Sequence, residues 1–258
     1  MKRSRKKRDK KRVPLLPNLI TTMSLFFGFY SILFALKENF HKAAIFILFA
    51  GFMDALDGRI ARATHTTSLF GKEYDSLSDV IAFGVAPAIM VYLWQFSAYD
   101  RLGWLAGFLF VACGALRLAR FNSAESSDTT FTGLPIPMAA VALAGTVLVS
   151  EVIGSIPSVA VMIEVYILSY LMVSNIQYPS FKRVTYIKAH PFQLLVAVVL
   201  LLMVVAAIPE IMLVVFVMAF VLSGPVMVII RMLKSHKAEE NILNEGRDEA
   251  DAKEDHHL

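Results

Sequence analysis

Residues 54–79 read DALDGRIARATHTTSLFGKEYDSLSD. Four aspartates, Asp54, Asp57, Asp75 and Asp79, stand in this stretch, and the runs on either side of it, 43–53 and 80–94, carry no charge. An ionised Asp near a bilayer centre costs about 2.5–3.5 kcal/mol on insertion scales, so acids inside apolar helices call for a functional explanation. On a helix, positions i, i+3, i+4, i+7 and i+8 share a face. Asp54, Asp57, Gly58, Ala61 and Arg62 fit that series. Gly71, Asp75 and Asp79 form a second stripe at i, i+4 and i+8. Two antiparallel helices joined by a short connection near 63–70 would bring the four carboxylates around one cavity.

The rest of the chain agrees with a membrane setting. Of 258 residues 57% are hydrophobic, and the mean hydropathy is +0.60. Apolar runs of about 20 residues recur, the length that crosses a hydrocarbon core of about 30 Å. Spans are expected at about 13–36, 43–62, 76–98, 102–119, 133–150, 157–175, 191–208 and 211–230. The fold class is therefore all-α: a polytopic membrane protein with about eight transmembrane helices in one bundle. A strand-built barrel would show short alternating segments instead. The single cysteine, Cys113, excludes an intrachain disulfide and suits a packing role.

Charge sets the orientation. Residues 2–12 hold nine Lys/Arg against Asp9 alone, whereas 234–258 hold eight acids and four bases. A basic arm beside a span marks a cytoplasmic end resting on anionic lipid rather than a nucleic-acid site. Eight spans place both termini on one side, and the positive-inside rule selects the cytoplasm. That side carries Arg59, Arg62, Lys72, Arg117, Arg120, Lys182 and Arg183. The expected organisation is a basic arm 1–12, a membrane domain 13–233 and an acidic tail 234–258. Asp54 lies about 12 Å along the axis from Arg62, which puts the cavity in the cytoplasmic leaflet of the cell membrane. There a lipid pyrophosphate can enter sideways while a soluble partner enters from the cytoplasm.

Hard carboxylate oxygens select Mg²⁺ or Mn²⁺, and the histidines show no zinc spacing. Two such ions can bridge a pyrophosphate. Gly58 and Ala61 leave room for a nucleotide, and the Arg62 fork can hold a phosphate. Mere pairing of the acids with Arg59, Arg62 and Lys72 is the bland alternative, and buried ion pairs rarely repay their desolvation.

The pattern D-x-x-D-G-x-x-A-R-x8-G-x-x-x-D-x-x-x-D resembles, at every defined position, the signature of the CDP-alcohol phosphatidyltransferase family. The resemblance implies a membrane-embedded two-metal enzyme. Asp54 and Asp75 would touch both ions, Asp57 one, and Asp79 the other while also acting as general base. Gly58, Arg62 and Ser68 would contact the CDP-lipid, and Asn18 and Thr21 of the first span would lie against its nucleotide. For Asn18 and Thr21, a helix cap and a packing hydroxyl are equal alternatives.

The signature leaves the acceptor alcohol open. Phe83–Ala88, Leu116–Asn122, Phe131–Pro137 and Ser174–Lys182, together with eight spans, resemble the membrane-integral phosphatidylserine synthase branch. That implies phosphatidyl transfer from CDP-diacylglycerol to L-serine, and a homodimer. Arg117 and Arg120 can bind a serine carboxylate, and Asn122 and Asn175 can orient polar groups. Lys182 is a further acceptor-side candidate, with interfacial snorkelling its alternative. The arginine pair would equally suit inositol phosphate or glycerol 3-phosphate. A divalent-cation transporter is the rival from another class. It predicts acids spread through both leaflets. Gly103-x-x-x-Gly107, with Gly114, permits close helix packing and leaves open whether the partner helix is in the same chain. Glu164, mid-span in the sixth helix, reads as an interior hydrogen-bonded acid.

Overall fold

The structure is a computed structural model that describes residues 15–64, 68–123, 133–176, 178 and 214–228. Every regular element among the described residues is helical, with no strand. The helices are α1 (Leu15–Leu36), α2 (Phe40–Ala63), α3 (Leu69–Asp79), α4 (Ala86–Val91), α5 (Asp100–Ser123), α6 (Ile136–Ile153), α7 (Ser158–Val173) and α8 (Val214–Val228). Leu15–Leu36, the continuous run Leu69–Ser123 and Ile136–Ile153 are long and apolar enough to cross a membrane. The expected span 191–208 and both tails lie outside the described residues.

The 55-residue run Leu69–Ser123 would measure about 80 Å as one straight helix, far beyond a bilayer core. It is broken instead. A π-helical turn over Val80–Val85 precedes Pro87, a second spans Tyr92–Phe96, and a 3₁₀ turn follows at Ser97–Tyr99. Proline cannot complete the α-helical bond to the preceding turn, so wider turns gather around it. Asp100 then takes φ 47°, and α5 returns against α4 and the π turns. The third and fourth spans expected from sequence are thus separate antiparallel arms.

The contacts divide the chain into two units, 1–124 with 135–173, and 125–134 with 174–258. In the first, α1 is the organising helix. Its buried face runs Pro17, Thr21, Ser24, Gly28, Ser31 and Ala35, small residues at alternating steps of four and three. Such a seam lets backbones approach closely and lets hydroxyls bond across helices. Ser24 Oγ donates to Ala50 O at 3.0 Å, and Ser31 Oγ to Ala43 O at 2.8 Å, both on α2. A Cβ on Gly28 would lie 2.5 Å from Ala82 Cα, so α1 also rests directly on the π turn after Asp79. The turn into α2 is closed by Asn39, whose Oδ1 accepts from Lys42 N. His41 at the start of α2 pairs with Glu151 of α6 at 2.6 Å.

The glycine face of α5 is used inside the chain. Gly103 abuts the Phe96 backbone, Gly107 faces Ala88, and Gly114 receives the end of Ile136. The close packing that these glycines permit is thus made within the chain. Glu164 of α7 accepts from Thr146 Oγ1 of α6 at 2.9 and 3.0 Å, the interior hydrogen bond expected of it. In the second unit, Gly133 adopts φ 79° and its N–H donates to Ile176 O. The Tyr178 ring lies against Gly224 of α8, with its hydroxyl donating to Val221 O.

Candidate metal and phosphate site

The local sequence explains how the two carboxylate stripes are held apart. Ser68 caps α3, its Oγ accepting from Gly71 N at 3.0 Å. A side chain at Gly71 would meet both Ser68 Oγ and Asn18 Oδ1, at 3.1 and 3.2 Å, so glycine lets α1 close on the start of α3. α1 packs along α2 and α3, whereas those two helices scarcely approach one another. Between them lies an open cleft of about 200 Å³.

One wall of the cleft is α2, with Asp57, Gly58, Ala61 and Arg62. The other is α3, with Ser68, Gly71, Lys72 and Asp75. Pro17, Asn18 and Thr21 of α1 form the back. Every residue expected to contact the CDP-lipid therefore lines a single cleft. Lys72 joins them, a residue absent from the signature. Its place beside Gly71 at the helix start was the available signal.

One oxygen from each of Asp54, Asp57 and Asp75 lies within 4.8 Å of the other two. Asp79 sits behind them, 9% exposed and within electrostatic reach of Asp54, Asp57 and Asp75. Thr21 fixes one member of this group. Its Oγ1 lies 2.7 Å from Asp57 Oδ2 and 3.1 Å from Pro17 O. Thr21 is 4% exposed, so its hydroxyl serves the carboxylate and the packing together. No Lys or Arg nitrogen lies within 4 Å of these four acids among the described residues. The bland pairing with Arg59, Arg62 and Lys72 is thus not the arrangement seen. Asp75 Oδ1 is buried without a hydrogen-bond partner among the described groups. Clustered acids without a compensating cation are costly, and an orphaned carboxylate oxygen more so. An all-oxygen donor set of this kind fits a hard divalent cation.

Arg117 of α5 lies within electrostatic reach of Asp79. It is 9% exposed, its Nε has no hydrogen-bond partner, and its charge acts on Asp79. The other acceptor-side candidates divide. Arg120 donates to Val173 O at 3.2 Å and ties α5 to α7. Asn122 Nδ2 donates to Ser76 Oγ at 2.9 Å and ties α5 to α3. Asn175 belongs to the second unit, and Lys182 lies outside the described residues.

The family model for CDP-alcohol phosphatidyltransferase matches residues 14–173. The chain belongs to the CDP-alcohol phosphatidyltransferase family. The matched residues contain the cleft, the four aspartates and Arg117. Among curated relatives, the CDP-diacylglycerol--serine O-phosphatidyltransferase of Helicobacter pylori is 46% identical over 176 residues, 66% of this chain and 74% of the relative. The archaetidylserine synthase of Methanothermobacter thermautotrophicus is 42% identical over 168 residues, 64% of this chain and 69% of the relative. The CDP-diacylglycerol--serine O-phosphatidyltransferase of Bacillus subtilis is 37% identical over 168 residues, 65% of this chain and 92% of the relative. As a CDP-alcohol phosphatidyltransferase with apolar membrane-length helices, the chain is a membrane enzyme.

Proposed function

We propose that this enzyme transfers a phosphatidyl group from CDP-diacylglycerol to L-serine, giving phosphatidylserine and CMP. The observation that supports an acceptor bearing its own anion is Arg117: a buried guanidinium with an unpartnered Nε, whose charge reaches Asp79. A cation there suits an alcohol that carries its own anion close to the attacking hydroxyl. That feature admits serine, inositol phosphate and glycerol 3-phosphate alike. The names of the three relatives favour serine, on two kinds of lipid product.

Asp54, Asp57, Asp75 and Asp79 hold two Mg²⁺ or Mn²⁺ ions in this reading. Bound there, the metal supplies Lewis-acid neutralisation of the pyrophosphate's charge. Arg62 grips a phosphate at the mouth, and Gly58, Ser68, Asn18 and Thr21 shape the nucleotide's place. Arg117 takes the serine carboxylate and turns the hydroxyl toward Asp79. Asp79 accepts the hydroxyl proton as the serine oxygen bonds to the phosphorus bearing the diacylglycerol. The bond from that phosphorus to the CMP oxygen breaks, and CMP departs. Direct attack is favoured because each acid already has a metal or base role. The wider reading is a single membrane domain over 13–233 with about eight spans and two tails. Both termini and the cleft face the cytoplasm, and the assembly is a homodimer.

The test is CMP release by the purified protein with CDP-diacylglycerol, Mg²⁺ or Mn²⁺ and a panel of alcohols. Serine-dependent CMP and a phosphatidylserine product are expected. Release driven by inositol phosphate or glycerol 3-phosphate instead would sink the acceptor assignment. Metal flux in proteoliposomes lacking the CDP-lipid would favour the transporter reading.

A further inference from the structure

Two cations stand on opposite walls of the cleft. Arg62 is on α2 and Lys72 on α3, and both are exposed. Lys72 is three residues before Asp75, so both point to one side of α3. Arg62 belongs to the signature pattern, and Lys72 occupies one of its variable positions.

The present contacts of Lys72 are weak. Its Nζ lies 3.5 Å from Asn122 O at the end of α5, longer than the usual 2.7–3.2 Å hydrogen bond. It also hovers 5.9 Å from the Phe121 ring centroid, at the outer limit of a cation–π contact. No carboxylate lies within 4 Å of it among the described residues. An ammonium has three donors and a flexible stem. Here it is poised at the lip of a cleft whose floor is acidic and therefore hostile to a pyrophosphate without added positive charge. Arg62 and Lys72 are the cationic side chains among the residues that line the cleft, one on each wall.

We propose that Lys72 is a second phosphate-binding residue of the donor cleft, closing on the pyrophosphate from the wall opposite Arg62. This rests on the CDP-lipid reading of the cleft and holds whichever alcohol is the acceptor. On donor binding, Nζ exchanges the long bond to Asn122 O for a charge-assisted bond to phosphate, which is shorter and stronger. The link to α5 then loosens as the donor arrives, on the helix that carries Arg117.

The experiment compares wild type, Lys72→Met and Lys72→Arg as full-length protein in detergent. Met keeps the stem and removes the charge; Arg keeps the charge. Steady-state CMP release is measured against CDP-diacylglycerol at saturating alcohol, and against alcohol at saturating donor. Separately, the thermal midpoint is followed as CDP-diacylglycerol is titrated. Lys72→Met is expected to need about tenfold more donor in both assays, the scale of one charge-assisted contact. Its KM for the alcohol should change less than twofold, and Lys72→Arg should restore most of the donor affinity. An unchanged donor requirement overturns the proposal. So does a rise confined to the alcohol KM, or a lower midpoint without lipid as the sole effect, since either makes Lys72 only a tether for α5. If wild type releases no CMP with serine, the acceptor assignment fails, while the donor titration of the midpoint still decides Lys72.

Discussion

Asp79 and Thr21 show how much one side chain can decide at this site. Asp79 is buried behind the other acids and shares its surroundings with Arg117. Asp79→Asn keeps the shape and removes the base. Turnover should fall below detection while CDP-diacylglycerol still raises the thermal midpoint. Wild-type-like CMP release in that variant would falsify the assignment. Thr21 acts through Asp57, holding Oδ2 at 2.7 Å. Loss of such an outer partner typically costs 10–100-fold in metal affinity or activity. Thr21→Val should raise the Mn²⁺ concentration for half-maximal activity by about that factor, and Thr21→Ser should recover it. Wild-type behaviour of Thr21→Val beside an impaired Thr21→Ser would mean that the methyl, not the hydroxyl, matters.

Among the helices, α1 sets the separation of the two carboxylate arms. Its notch at Gly28 meets Ala82, three residues beyond Asp79, with backbone rather than a yielding side-chain tip. Gly28→Val should force α1 off the π turn, at about 1–3 kcal/mol for overpacking. A thermal midpoint lowered by several degrees, with reduced CMP release, is expected. Gly51→Ala is the control: its nearest neighbours lie at 3.7 and 3.8 Å, so both readouts should stay near wild type. The glycines of α5 teach the converse lesson. A G-x-x-x-G pattern says that something packs closely, and here the partner is the preceding arm of the same chain.

For the whole molecule, charge distribution predicts topology and the acid cluster predicts metal dependence. A fluorescent protein fused after Leu258 should glow and an alkaline phosphatase at the same point should stay inactive; the reverse pattern would invert the orientation. EDTA should abolish CMP release, with recovery on adding Mg²⁺ or Mn²⁺. Undiminished turnover in chelator would refute a metal role for the four aspartates.

The sequence by itself determined the helical class, the membrane setting, the family and most of the residues that line the cleft. It could do so because those features are local: apolar runs of fixed length, and acids repeating at helical spacing on two adjacent segments. Only the tertiary structure decided that Thr21 serves Asp57, that Ser68 caps α3, and that Arg120 and Asn122 fasten helices while Arg117 keeps an unpartnered Nε. It also brought Lys72 to the cleft and turned the glycines of α5 inward. Each of these depends on which distant segment lies across from a side chain, and helical periodicity gives the face of a residue without naming what that face meets.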